Sequence, residues 1–376
     1  MLSLDDNLEK RFYTYGMSTR VRSFAKINLG LAVGPARADG FHSLTTMYQT
    51  LALHDFVTVE ARTASVTRIV LTSDHPGVPR TETGNAEKNT AFAMVAGALE
   101  LMGMTAEVSI HIEKKLPVQG GMGAGSANAV AALLGLEREL AKALPGAERL
   151  RLAAEVGSDV PLFLIGGTVL GLGRGEEVYP LPDLPAMPCV VAIPNVGVST
   201  RLAFEALDKR VQGSGPSIQS AETGASLTFP HPDDKLNELS RVLAAVWSRD
   251  GVESGLSGIN RRTVDLAEIT GSPANLLDGV SNPLLALVRT GIENDFEEVA
   301  FSQHPSLRST KRDLQGSDPG GAVFACLSGS GSALFGLYAS QTDARAAQQR
   351  VLEAGTQAIL TETLPRSAYW DTMFAE

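Results

Sequence analysis

The sequence predicts a folded protein of mixed α and β structure in two domains, and three observations carry that reading. The chain has 376 residues, long for one compact core and comfortable for two. Segments with strand-like alternation are interleaved with segments whose apolar residues recur at helical spacing. A glycine-rich loop joins a strand pattern directly to a strong helical one. Hydrophobic residues make up 44% and charged residues 20%, the balance of a folded soluble protein and not of a disordered, collagenous or membrane chain.

The opening segment MLSLDDNLEKRFYTYG lacks either periodicity, and Met17 stands directly before a strand pattern. Residues 1–17 therefore read as a leader outside the fold, either disordered or preceding a true start at Met17. RVRSFAKINLGLAV (20–33) predicts the first strand, and LHDFVTVEARTASVTRIVLTSD (53–74) has the alternation and turn punctuation of further strands. Residues 88–102, KNTAFAMVAGALELM, predict a helix behind Asn89 and Thr90, a plausible capping pair. VSIHIEKKLPV (108–118) predicts a strand, QGGMGAGSANA (119–129) the loop, and AVAALLGLERELAKAL (129–144) a helix rich in Ala and Leu. A second helix, ERLRLAAEVG, leads into SDVPLFLIGGTVLGLGRGEEVYPL, where Gly and Pro punctuate two apolar strands.

The domain boundary is expected near residues 185–195, giving an N-terminal domain over 18–190 and a C-terminal one over 191–376. The second half shows strand VVAIP, helix RLAFEALDK and a Gly, Ser and Pro-rich stretch over 208–234 that reads as a flexible insertion. Helices are expected near 235–247 and 283–301. GAVFACLSGSGSALFGLYAS then predicts two strands joined at SGSGS, with a last helix near 342–354. Whether the unusual ending LPRSAYWDTMFAE folds back on the core is left open by the sequence.

Composition also narrows the partners. Lys and Arg number 32 against 42 Asp and Glu, a formal charge of −10 that repels a nucleic-acid backbone. A phosphorylated nucleotide would need a local device. Cys189 and Cys326 sit in apolar stretches without CxxC spacing or a neighbouring His, so they read as buried structural thiols and not as metal ligands or a redox pair. With no disulfide framework, with Asp5, Asp6 and Glu9 where a secretory signal would be basic and then apolar, and with no apolar run of transmembrane length, the expectation is a cytoplasmic protein that uses neither membrane nor nucleic acid.

The loop is that local device. Glycines let the backbone approach an anion, and the helix after them turns unpaired N–H groups and the positive end of its dipole toward it. The segment fits neither GxxxxGK[ST] nor the dinucleotide fingerprint, so on its own it is either a phosphate cradle or a flexible connection. Lys26 in AKIN is a cation inside an apolar strand, costly unless it faces a partner or reaches solvent. Asn28 shares its face, because side chains two apart on a strand do. Asp159 in GSDVP follows a helix end, where it can cap a turn or act as a general base.

Three ordered blocks, SFAKINLGL, KLPVQGGMGAGSANAVAAL and SGSGSALFGL, resemble the signatures of the GHMP kinases. ADGFHSLTTMYQTLALHD and GSDVPLFLIGG resemble the branch whose substrate is 4-diphosphocytidyl-2-C-methyl-D-erythritol, over roughly residues 20–205 and again 283–340. The resemblance implies a two-domain α+β fold with the site between the domains. It further implies ATP as phosphoryl donor, Mg2+ bridging the phosphates, and a cytidine diphosphate-linked methylerythritol as the small-molecule acceptor, phosphorylated on its 2-hydroxyl. Other kinases of the superfamily, for homoserine, mevalonate or a sugar, and a non-catalytic nucleotide-binding module are the alternatives.

Carried over residue by residue, Asp159 is the base and Lys26 its partner. Asn89, Lys114, Pro117, Gly120, Gly121, Gly123, Gly125 and Ser126 contact ATP, with Ser126 also placed for a magnesium-bound water. Asn28, Phe41, His42, Thr200 and Phe204 contact the acceptor, the last four around its cytosine. The chain has Phe41 where the family usually has Tyr, and Ala127 where it often has a second Ser.

Overall fold

The fold is that of a computed structural model, which describes residues 18–36, 40–118, 120–213, 293–317 and 320–375. In chain order these form β1 (Thr19–Ala36), β2 (His42–Thr63), β3 (Arg68–Ser73), α1 (Thr90–Met102), β4 (Ala106–Glu113), α2 (Ala124–Glu139) and α3 (Gly146–Val156). Then come β5 (Thr168–Leu172), β6 (Glu177–Pro180), β7 (Pro188–Ile193), α4 (Thr200–Gly213), α5 (Phe296–Gln303) and α6 (Pro305–Gln315). The chain finishes with β8 (Phe324–Leu327), β9 (Leu334–Leu337), α7 (Gln341–Glu353), β10 (Gln357–Glu362), α8 (Arg366–Asp371) and β11 (Phe374–Ala375).

Two sheets result. The first has the order β11-β1-β2-β4-β3, with β5 joined to β2 and β6 to β5; β3 and β4 run parallel and the other pairs antiparallel. The second is the antiparallel sheet β10-β7-β9-β8. Strand alternation explains how they stack. Ala25, Ile27 and Leu29 of β1 enter an apolar layer with Met47, Val191 and Phe335 that joins the sheets. The first sheet's other core lies against α1, α2 and α3, where Met94, Val130 and Leu133 are buried. Phe296, Leu307 and Val351, from α5, α6 and α7, cover the far side of the second sheet.

The mixed α and β class and the early elements agree with the sequence. Asn89 caps α1, its Oδ1 accepting the Ala91 N–H at 2.9 Å, and Gly103 closes that helix in the left-handed region at φ 61°. Cys189 and Cys326 are both buried and unbridged, and burial pushes both thiols well above their ordinary range. Among the described residues no helix is long and apolar enough to cross a membrane.

Two expectations change. Residues 208–213 continue α4, so the expected flexible insertion does not begin at 208; its remainder, 214–234, lies outside the described residues, as does the helix expected at 235–247. Of the helix expected over 283–301, the described part begins only at Phe296. The ending, which the sequence leaves open, folds back on the first sheet. β11 pairs with β1 at Arg20 and Val21, and the buried Tyr369 donates to the Phe163 carbonyl at 2.6 Å. Sheet membership thus changes at Pro188 and changes back for the last residues.

Candidate active site

The first strand builds the centre of the site. Its pairing with β2 shifts register between Phe24 and Lys26 and again between Asn28 and Gly30, and such bulges re-aim the side chains between them. With Ala25, Ile27 and Leu29 committed to the inter-sheet layer, Lys26 and Asn28 point the other way. Lys26 Nζ donates to Asn28 Oδ1 at 2.5 Å and lies 3.2 Å from Asp159 Oδ2. Asn28 Nδ2 in turn donates to Thr46 Oγ1 at 2.7 Å, which fixes the amide. The Lys26 side chain is 3% exposed and that of Asp159 32%. A buried ammonium is tolerated only with such partners, and the carboxylate keeps a face open to an incoming group.

Asp159 is delivered by α3, which ends at Val156, and by the turn Pro161–Leu164, whose Phe163 is fully buried. Phe163 also meets the glycine loop. A Cβ on Gly123 would fall 2.9 Å from Phe163 Cζ and 3.0 Å from Lys26 Cγ, so only glycine lets the loop lie against the lysine. Gly123 caps α2 at φ 69°, and the N–H groups of Ala124, Gly125 and Ser126 open the helix without intrahelical acceptors. A helix terminus of this kind can receive an anion, and it lies adjacent to the Lys26–Asp159 pair.

The SGSGS turn closes the loop from the other side. Ser328 Oγ donates to the Gly121 carbonyl at 3.0 Å, and the Ala333 N–H to the Gly120 carbonyl at 3.3 Å. Asn294, 2% exposed, holds the turn through the carbonyls of Leu327 and Gly329. Asn294 had no signal in the sequence, because its partners lie more than thirty residues away. The two glycine segments, some two hundred residues apart in the chain, meet around Lys26.

The residues expected at the cytosine fall in a second cluster. His42 stacks on Phe204 at 4.9 Å and an interplanar angle of 20°, and its Nε2 lies 2.7 Å from Asp208 Oδ1. Thr200 is at the start of α4, but its hydroxyl bonds Ser330 of the SGSGS turn at 2.8 Å and so reaches toward the phosphate side. Phe41 is 52% exposed, with the Arg174 guanidinium 5.1 Å from its ring centre.

Among the residues assigned to ATP, Asn89 is buried, its amide occupied by the α1 cap and by the Pro79 carbonyl at 3.0 Å. Lys114 is 4% exposed and paired with the fully buried Asp55, which also accepts the N–H groups of Lys115 and Leu116. Both side chains are thus already partnered within the fold. Pro117 lies beside Gly120, and Ser126 is half-buried in the first turn of α2. Ala127 is 2% exposed within the apolar core, so position 127 offers nothing to an incoming ligand.

Comparisons with known proteins identify the family. A family model described as GHMP kinases N terminal domain matches residues 89–167, and one described as GHMP kinases C terminal matches 277–357. A 4-diphosphocytidyl-2-C-methyl-D-erythritol kinase of Solibacter usitatus is 33% identical over 318 residues, 85% of this chain and 80% of its own length. One of Salinispora tropica is 34% identical over 75% of this chain and 86% of its own. The chain belongs to this kinase family. A crystal structure of 4-(cytidine 5'-diphospho)-2C-methyl-D-erythritol kinase superposes with a TM-score of 0.61 at 26% identity, covering 92% of this chain and 98% of the other. A homoserine kinase of Cytophaga hutchinsonii, at 19% identity and TM-score 0.59, shares the fold.

One residue of this kinase's site escaped the sequence reading. Tyr48, 2% exposed and paired with Asn28 across β1 and β2, donates its hydroxyl to Asp159 Oδ1 at 3.0 Å. In the sequence it looks like any strand aromatic. Burial first, and then the Asp159 charge, pushes its phenol well above the ordinary value near 10, so it remains a donor throughout the neutral range. The folded state therefore holds this proton at pH values where the unfolded chain has lost it. That contribution to stability is full below about pH 10 and is lost as pH rises toward the folded value, at about 1.4 kcal/mol per pH unit. Urea unfolding at several pH values above 10 checks this: Tyr48→Phe should remove about that much of the slope, and an unchanged slope would mean the phenol ionises in the folded protein.

Proposed function

We propose that this kinase transfers the γ-phosphoryl group of ATP to the 2-hydroxyl of 4-diphosphocytidyl-2-C-methyl-D-erythritol. The observation that carries the reading is the Lys26–Asp159 pair, 3.2 Å apart, beside the glycine-capped N-terminus of α2. The phosphates of ATP lie on the N–H groups of that terminus and on Gly120, Gly121 and Gly123. Asp159 accepts the proton of the attacking hydroxyl, the alcohol oxygen forms its bond to the γ-phosphorus, and the bond to the β-phosphate oxygen breaks to release ADP. Lys26 stabilises the alkoxide character that develops as the proton leaves and keeps the carboxylate aligned.

Mg2+ fits the donor set. It would need few protein ligands beside phosphate oxygens and water, and Ser126, half-buried in the first turn of α2, would supply one hydroxyl where Ala127 supplies none. When bound, the ion neutralises phosphate charge. His42, Phe41 and Phe204 take the cytosine, which selects this acceptor over homoserine, mevalonate or a sugar. Asn28 orients the polyol end, sharing its amide with Lys26.

The reaction is tested by coupled ADP release with a panel of alcohols that includes the cytidyl substrate. Turnover confined to that substrate is expected. Turnover on another alcohol would keep the kinase and discard the acceptor, and ATP binding without turnover on any would favour a nucleotide-binding module.

A further inference from the structure

The loop between β5 and β6, Gly173–Glu176, runs between the cytosine cluster and the catalytic pair. At one end the Gly173 carbonyl accepts the Leu44 N–H at 2.7 Å, two residues from His42. At the other, Gly175 lies against Tyr48, where a Cβ would come within 2.5 Å of the phenol oxygen that bonds Asp159. Arg174 stands between those two anchors. Its guanidinium carbon is 5.1 Å from the Phe41 ring centre, and its Nε donates to Glu176 Oε1 at 2.9 Å, with the side chain about one third exposed.

An acceptor whose base sits at His42 and Phe204 and whose hydroxyl reaches Asp159 must carry its linker past this loop. In a nucleoside diphosphate-linked polyol that linker is two ionised phosphates. The chain's formal charge of −10 gives them no general attraction, and Asp208, at His42, adds a local repulsion. Lys26 is already engaged by Asp159 and Asn28.

Resting on the function proposed above, we propose that Arg174 binds the diphosphate of the acceptor, exchanging the Glu176 carboxylate for phosphate oxygens as the substrate enters. A guanidinium suits this role because its planar fork matches two oxygens at once, while its face can remain on an aromatic ring. Glu176 holds the arginine ready in the meantime. Its carboxylate also accepts the Arg174 backbone N–H at 2.5 Å, which ties the side-chain pair to the loop. Burial of Glu176 opposes its charge, but the hydrogen bonds from its own N–H and from Arg174 outweigh that and hold the carboxyl below its ordinary range, so the ion pair is present at neutral pH.

The test is calorimetric titration of cytidine diphosphate and of cytidine into the wild type, Arg174→Gln and Glu176→Gln, beside steady-state kinetics. Arg174→Gln should weaken cytidine diphosphate about tenfold or more, leave cytidine unchanged, and raise KM for the cytidyl substrate in parallel while KM for ATP stays constant. Glu176→Gln should tighten cytidine diphosphate several-fold. Equal weakening of both ligands by Arg174→Gln would show that the arginine only braces the loop and would overturn the proposal, as would weaker diphosphate binding in Glu176→Gln. A wild type that binds neither ligand, or turns over only another alcohol, would instead overturn the reading of the acceptor itself.

Discussion

Asp159→Asn is expected to lower kcat by about three orders of magnitude while KM for ATP changes little. The substitution keeps the shape of the side chain, so Tyr48 can still donate to its carbonyl oxygen and the turn before Pro161 is preserved. What it removes is the capacity to take a proton and the charge 3.2 Å from Lys26. Loss of a positioned base costs roughly 10² to 10⁴ in rate.

A structural penalty accompanies the loss. Removing one partner of a fully buried ion pair costs about 3–5 kcal/mol, but Asp159 is 32% exposed, so water replaces part of the interaction and the cost falls toward about 1 kcal/mol. Single-turnover ADP formation separates the two effects from ATP binding, and the melting temperature reports the second. A variant whose kcat remained within tenfold of the wild type would remove Asp159 from the base role, whatever its stability.

Local periodicity made some of this site legible and left the rest hidden. Asn28 follows from Lys26 because strand side chains repeat every two residues, and the Asn89 cap follows from a polar residue ahead of a helical pattern. The pairing of Lys26 with Asp159, 133 positions apart, has no local signature; only the family resemblance suggested it. Lys114 shows the converse. The family resemblance implied its contact with ATP, and its ammonium is paired with Asp55, 59 residues earlier, which no local pattern announces.

The fold shows the same division. Many of the longer strands and helices were visible in the chain, but α6, β10 and α8 were not, and β11 has only two residues and owes its place to pairing with β1. α4 passes residue 208 because the Gly, Ser and Pro-rich composition that reads as a loop becomes dense only after Gly213.

Gly121→Ala is the second substitution with a large expected effect, and it tests whether the two glycine segments act as one cradle. Gly121 has φ 76°, a region that costs an alanine about 1–2 kcal/mol. A Cβ there would lie 2.2 Å from the Ser328 carbonyl oxygen, a backbone atom that cannot rotate away. Relief therefore requires the loop and the SGSGS turn to separate, which adds about 1–3 kcal/mol of overpacking. It also stretches the bond from Ser328 Oγ to the Gly121 carbonyl, and moves a turn whose Gly329 packs beside Lys26.

Displacement of a phosphate cradle by about 1 Å is enough to cost roughly 10²-fold in kcat/KM for ATP. Gly125→Ala is the matched comparison. It lies inside α2, where a Cβ would meet only Thr90 Oγ1 at 3.4 Å, and helix propensity favours alanine by about 1 kcal/mol. Denaturant unfolding of the two variants should thus give shifts of opposite sign, with Gly121→Ala destabilised by several kcal/mol. Equal shifts, or an intact KM for ATP in Gly121→Ala, would mean that the contact with Ser328 is incidental and that the helix terminus holds the phosphates without the turn.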